Sequence, residues 1–267
     1  MTNFKLVFSF IFFFSLSLFS LSCLKLKKPE NNHVITGLEN LIQNYKGKLK
    51  GKNVGIVTNH TGVDRKGVPI WELIGDIPDV KVHAVFSPEH GLFGEYADGE
   101  KIEYENKKPL PILFSLYGKT RKPTIDMVKG IDLFIYDIQD VGTRFYTYIS
   151  TMGLILEASS DFQIPVLILD RPNPLSGNLV AGPLLDPAFK SFVGLYPIPS
   201  VYGLTIGELA MMIVDKSWMK SSIYFEVIPM IGWKRSMHYE KTGLPWLPPS
   251  PNIPDLETTI VYPATVL

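Results

Sequence analysis

Two glutamates on one glycine-bearing stretch open the chemical reading of this chain. Glu89 and Glu95 stand six residues apart in Ser87-Pro88-Glu89-His90-Gly91-Leu92-Phe93-Gly94-Glu95. Paired carboxyls, one giving a proton and one acting as base or nucleophile, are the usual equipment for splitting a glycosidic bond. The same two acids would also suit a solvated turn. Three further polar runs accompany them. Asn59 and His60 lie in Thr58-Asn59-His60-Thr61-Gly62. Asp140, Arg144, Tyr146 and Tyr148 crowd residues 139–148. Arg171 and Asn173 lie in Arg171-Pro172-Asn173-Pro174, a loop stiffened by two prolines. Arg144 is either a clamp for a substrate carboxylate, which guanidinium geometry suits, or the partner of Asp140. Tyrosines of this kind can stack on a sugar's apolar face.

Other chemistries find less support. His60 and His90, with Asp137 or Asp140, could build a metal site, but no HxH or HExxH spacing is present. They read instead as polar residues of a cleft, and no metal or cofactor is expected. Neither GxGxxG after a strand nor GxxxxGK[ST] occurs, so nucleotide binding is unsupported. No GxSxG nucleophile turn occurs, which ranks an esterase low. Lys plus Arg equals Asp plus Glu at 26 each, a balance that argues against a binder of nucleic-acid phosphates.

These residues need elements to position them. Short apolar runs at Lys52–Thr58, Val80–Phe86, Ile131–Ile138, Pro165–Asp170 and Ile223–Ile228 predict strands. Helical spacing marks 36–46, 66–74, 124–129, 147–159 and 206–215, the last with a Thr205/Glu208 capping box. Alternation of this kind predicts an α/β fold with a mainly parallel, doubly wound sheet. Each polar run above follows a predicted strand. In open α/β sheets ligands bind beyond the strands' carboxyl ends.

The first residues belong to another story. An apolar, uncharged run at 6–21 follows Lys5, too short to span a bilayer and shaped like a signal peptide. It ends in Ser20-Leu21-Ser22-Cys23, and Cys23 is the only cysteine of the 267 residues. A small residue before a lone Cys resembles a lipoprotein cleavage site, and acylation there would tether the chain to a membrane. The expected organisation is a signal peptide at 1–22 and a tether at 23–34. The α/β fold is expected to follow from residue 35.

The runs TNHTGVD (58–64), SPEHGLFGE (87–95), DIQDVGTRFYTYISTM (137–152), LDRPNPLSG (169–177), GPLLDP (182–187), SFVGLYPIPSVYGLTIGELA (191–210), GLPWLPPSPNIP (243–254) and VYPAT (261–265) together resemble the bacterial exo-β-N-acetylmuramidase family. The resemblance covers residues 35–267. It implies a Rossmann-like catalytic domain at 35–219, followed by a smaller C-terminal domain that starts in 220–267 and continues beyond VYPAT, so that these residues hold it incompletely. It implies release of terminal, non-reducing β-linked N-acetylmuramic acid from peptidoglycan fragments in the cell envelope. The family's cleft glutamate falls on Glu89, with Glu95, Asn59, Arg144 and Tyr146 as neighbouring cleft residues. The second carboxylate would be Glu95, or failing that Asp140. Arg144 or Arg171 would meet the lactyl carboxylate of muramic acid. The rival expectation is an envelope lipoprotein that binds muropeptides without cleaving them.

Overall fold

The computed structural model describes residues 33–94, 111–219 and 224–266. Cys23 and Glu95 lie outside the described residues. Six strands form one sheet: β1 (Asn53–Thr58), β2 (Lys81–Ser87), β3 (Ile112–Ser115), β4 (Leu133–Asp137), β5 (Val166–Leu169) and β6 (Phe225–Ile228). Their spatial order is β3-β2-β1-β4-β5-β6, and every pairing is parallel. This is the Rossmann order, in which the connections reverse direction between β1 and β4.

The strand sequences explain the layering. β1, β4 and β5 are near-continuous apolar runs, as strands covered on both faces must be. Alternate residues serve opposite cores. Val57, Phe86, Phe134, Tyr136, Val166 and Ile168 pack into one core with α3 (Tyr148–Phe162) and α4 (Ile206–Asp215). Val54, Ile56, Val85, Ile135, Leu167, Leu169 and Ile228 pack into the other with α1 (Gly37–Asn40) and α2 (Ile70–Gly75). α4 starts at the capping box expected from its sequence: Thr205 accepts from the Glu208 amide, and Glu208 reaches back to the Thr205 amide. α1 carries a second such box, between Thr36 and Glu39, and winds on through a π turn (Leu41–Tyr45) and a 3₁₀ turn (Lys46–Leu49).

Two expectations change. Residues 125–130 form turns, not a helix. Ile112–Ser115, which reads as loop in the sequence, pairs with β2 as an edge strand. Past residue 219 the sheet continues: β6 pairs with β5, and Ile228 is buried in the same core as Leu167 and Leu169. Helix α5 (Leu256–Thr265) follows, and its Tyr262 packs against the other core. The segment after 219 thus completes the sheet.

One close approach fixes where α1 docks. The Gly37 amide donates to the Asp170 carbonyl at 2.8 Å. A Cβ on residue 37 would lie 2.2 Å from the Asp170 nitrogen, 2.6 Å from the Leu169 carbonyl carbon and 2.7 Å from the Ile228 oxygen. All three are backbone atoms of the sheet's carboxyl edge, so none can step aside. Gly37→Ala is expected to destabilise the protein by about 1–3 kcal/mol or more, read as a lower midpoint in denaturant unfolding. An unchanged midpoint would contradict the close docking.

Candidate active-site cleft at the carboxyl edge of the sheet

The loops beyond the strand ends are built from polar residues that mostly hold one another. Asn59, just past β1, is fully buried. Its side-chain oxygen accepts from the Thr61 amide and hydroxyl (3.0 and 2.6 Å), and its NH2 donates to the Tyr148 hydroxyl at 2.9 Å. Tyr148 in turn donates to the Pro249 carbonyl at 2.6 Å. His60 bonds the Pro248 carbonyl through Nε2 at 2.6 Å. Its ring lies against Gly94, where a Cβ would come within 2.1 Å of it. A 3₁₀ turn (Tyr239–Thr242) leads into the strap 243–254. That strap is therefore fastened across the β1 loop at two successive carbonyls.

The two arginines expected to face substrate are committed elsewhere. Arg171 makes a two-toothed ion pair with Asp137 at the end of β4 (Nε–Oδ1 2.5 Å, Nη2–Oδ2 2.9 Å) and also donates to the Val63 carbonyl at 3.1 Å. Burial raises the Asp137 carboxyl, while Arg171 draws it back toward the charged form. Arg144 spends Nη1 on the carbonyls of Pro183 (2.8 Å) and Ile198 (2.5 Å), with its guanidinium over the Phe145 ring. Neither pairs Arg144 with Asp140, nor does either arginine line the cleft described next. Asn173 likewise holds backbone, accepting from the Leu175 amide and donating to the Leu204 carbonyl, both at 2.9 Å.

Asp140 is buried. Its Oδ2 accepts from the Gly142 amide at 2.8 Å and from the Tyr202 hydroxyl. Burial pushes its carboxyl up to about 6, against those hydrogen bonds. Asp170 is a parallel case at the end of β5. It accepts from the Gly207 amide (2.8 Å) and the Thr205 hydroxyl (3.0 Å), and burial pushes it up to about 6 as well.

Beside these loops opens a cleft of about 460 Å³. Glu89 and His90 enter from the β2 loop, with Phe145, Tyr146 and Thr147 from the β4 loop. Ser250, Asn252 and Ile253 come from the strap, Tyr262 and Val266 from α5 and its end, and Val193 from the loop before α4. Glu89 Oε2 accepts from the Thr147 hydroxyl at 2.7 Å. Tyr146 stands edge-on to Tyr148 and to Tyr262, with centroids 4.8 and 6.0 Å apart. Burial, then the charges of Asp140 and Glu89, push the Tyr262 hydroxyl up. His90 is held at φ 69° and Gly91 at φ 73°, a left-handed turn that presents Glu89. Among the described residues no group of three His, Cys, Asp or Glu side chains is placed to hold a metal.

Glu89, His90 and Tyr146 of the sequence-based candidates therefore share the cleft. Asn59 and His60 brace it from behind. Asp140, Arg144, Arg171 and Asn173 shape the loops. Thr147, Ser250, Asn252 and Tyr262 were not singled out by residue type. Their signal was membership of the runs 137–152, 243–254 and 261–265.

The carboxyl-edge cleft sits on a chain whose residues 54–257 match the family model for the N-terminal part of the exo-β-N-acetylmuramidase NamZ. The chain belongs to that family. A Bacillus subtilis (strain 168) protein described as peptidoglycan β-N-acetylmuramidase NamZ is 46% identical over 242 residues, covering 90% of this chain and 57% of its own length. Two crystal structures of DUF1343 family proteins from Bacteroides fragilis NCTC 9343 share the fold. One has a TM-score of 0.81 at 41% identity, covering 88% of this chain and 59% of its own. The other has 0.73 at 39%, covering 86% and 60%. The chain thus spans less than two thirds of the length of these relatives.

The buried acids generate a pH prediction. An unfolded Asp titrates near about 3.9. Asp140 and Asp170 at about 6 therefore bind more protons folded than unfolded between those values. Their contribution is fully present below about pH 3.9 and is lost as pH rises through 6. Asp140→Asn keeps one oxygen for Gly142 and Tyr202 and removes the charge. It is expected to flatten the stability profile between pH 4 and 7 by on the order of 1–3 kcal/mol, measured by urea unfolding at each pH. A variant profile parallel to wild type would contradict the assignment.

Proposed function

We propose that the protein is an exo-acting glycoside hydrolase releasing terminal, non-reducing β-linked N-acetylmuramic acid from peptidoglycan fragments. The observation that carries this reading is Glu89, presented by a left-handed turn into a cleft whose other wall is aromatic. Tyr146, Tyr262 and Phe145 offer apolar faces for a pyranose ring, and Ser250 and Asn252 offer donors and acceptors for its hydroxyl and acetamido groups. Membership of the NamZ family and 46% identity to the Bacillus relative support the substrate class.

In this reading Glu89 protonates the leaving glycosidic oxygen while a second carboxylate assists the oxocarbenium-like transition state. Of the two candidates, Asp140 is buried against Tyr202 and outside the cleft lining. That leaves Glu95, six residues along the same stretch, as the choice. Arg144 and Arg171 are engaged with protein groups, so the lactyl carboxylate is assigned to His90, the cleft-lining side chain among the described residues that can carry positive charge. Export, with Cys23 as the site of acylation, completes the reading and rests on the leader sequence. Such an anchor would be its only membrane contact, and no nucleic acid or cofactor takes part.

The test is mass spectrometry of products from N-acetylmuramyl-β-1,4-N-acetylglucosamine. Wild type is expected to yield free N-acetylmuramic acid. Glu89→Gln, folded by circular dichroism, is expected to lose about 10²- to 10⁴-fold or more in kcat. Wild-type rates in that variant would sink the assignment of Glu89. Binding without turnover by wild type would favour a muropeptide-binding role instead.

A further inference from the structure

Thr147 stands at the N-cap of α3 but does not cap it. A threonine there ordinarily turns its oxygen to accept from the second or third amide of the helix. Here no side-chain capping bond forms. The amides of Ser150 and Thr151 are met by the Thr147 carbonyl instead, at 3.0 and 2.9 Å. The hydroxyl is free to face the cleft, where it donates to Glu89 Oε2 at 2.7 Å. The bond joins the loop after β4 to the loop after β2. It ties down one oxygen of the Glu89 carboxyl, a group whose terminal torsion is intrinsically broad and soft.

We infer that Thr147 is a positioning residue that fixes the Glu89 carboxyl for proton transfer. A hydroxyl has one proton to give. With that proton on Oε2, the transferable proton of Glu89 belongs on Oε1, and the carboxyl plane is set by the bond. The helix forgoes its cap so that the acid keeps one orientation. This deepens the hydrolase reading and rests on it.

The experiment compares wild type, Thr147→Val and Thr147→Ser by steady-state kinetics on the disaccharide and by crystal structures without ligand. Thr147→Val has nearly the same shape and loses no helix cap. It should therefore unfold within a few degrees of wild type, while kcat falls about 10- to 100-fold with KM little changed. Thr147→Ser restores the donor and should recover most of kcat. The Glu89 carboxyl should leave its place in Thr147→Val only. Unchanged kcat in Thr147→Val, or equal losses in both variants, overturns the inference. Absence of turnover in wild type overturns the hydrolase reading separately. The positioning claim is then decided by the crystal structures, where an unmoved Glu89 carboxyl in Thr147→Val overturns it.

Discussion

The buried ion pair between Asp137 and Arg171 is the constraint on which the carboxyl edge of the sheet depends. Asp137 ends β4 and Arg171 begins the loop after β5, and a third bond carries Arg171 to Val63 beyond β1. Three loops on three strands thus share one guanidinium. Buried pairs of this kind add little net stability compared with apolar packing of equal volume, because both charges give up water. What the pair supplies is register. With Asp137 fixed, its carbonyl accepts the Thr58 hydroxyl at 2.7 Å, and the Gln139 amide finds the Thr61 hydroxyl at 3.0 Å. The switch point between β1 and β4 is closed by these bonds, and the cleft opens beside it.

The polar residues of this edge divide their labour by burial. The buried ones, Asn59, Asp140, Arg171 and Asn173, bond to other groups of the protein. Those half-withdrawn, Glu89 and His90, face the cleft. The relay Asn59–Tyr148–Pro249 carries the rigidity of the sheet out to the strap, and the strap delivers Ser250, Asn252 and Ile253 to the cleft wall. A residue rich in chemistry can therefore act at one remove. Asn59 touches no cleft space, yet it sets where Tyr148 and the strap stand.

This division explains what could and could not be read from the sequence. Strands β1, β2, β4, β5 and β6 were legible because each is a short apolar run between turn residues. α4 was legible to the residue because its capping box is local. β3 was not: Ile112–Ser115 is an edge strand with Ile112 and Leu113 exposed, so no buried pattern marks it. The placement of Glu89 at the cleft was legible from its position after a strand between Pro88 and Gly91. The protein partners of Arg144 and Arg171 were not, because an arginine that binds a substrate carboxylate and one that binds Asp137 or a carbonyl have the same letter. Thr147 was hidden for a related reason. A threonine before a helix reads as a cap, and only the observed direction of its hydroxyl shows it turned to Glu89.

The proposed hydrolase holds and cleaves its sugar against Glu89 in this cleft. The most direct measurement is a crystal structure of Glu89→Gln bound to N-acetylmuramyl-β-1,4-N-acetylglucosamine. The muramic acid ring is expected against Tyr146 and Tyr262. Its glycosidic oxygen should lie within about 3 Å of the side chain at position 89, the reach that proton transfer requires. A disaccharide seated elsewhere, with the Glu89 cleft empty, would contradict it.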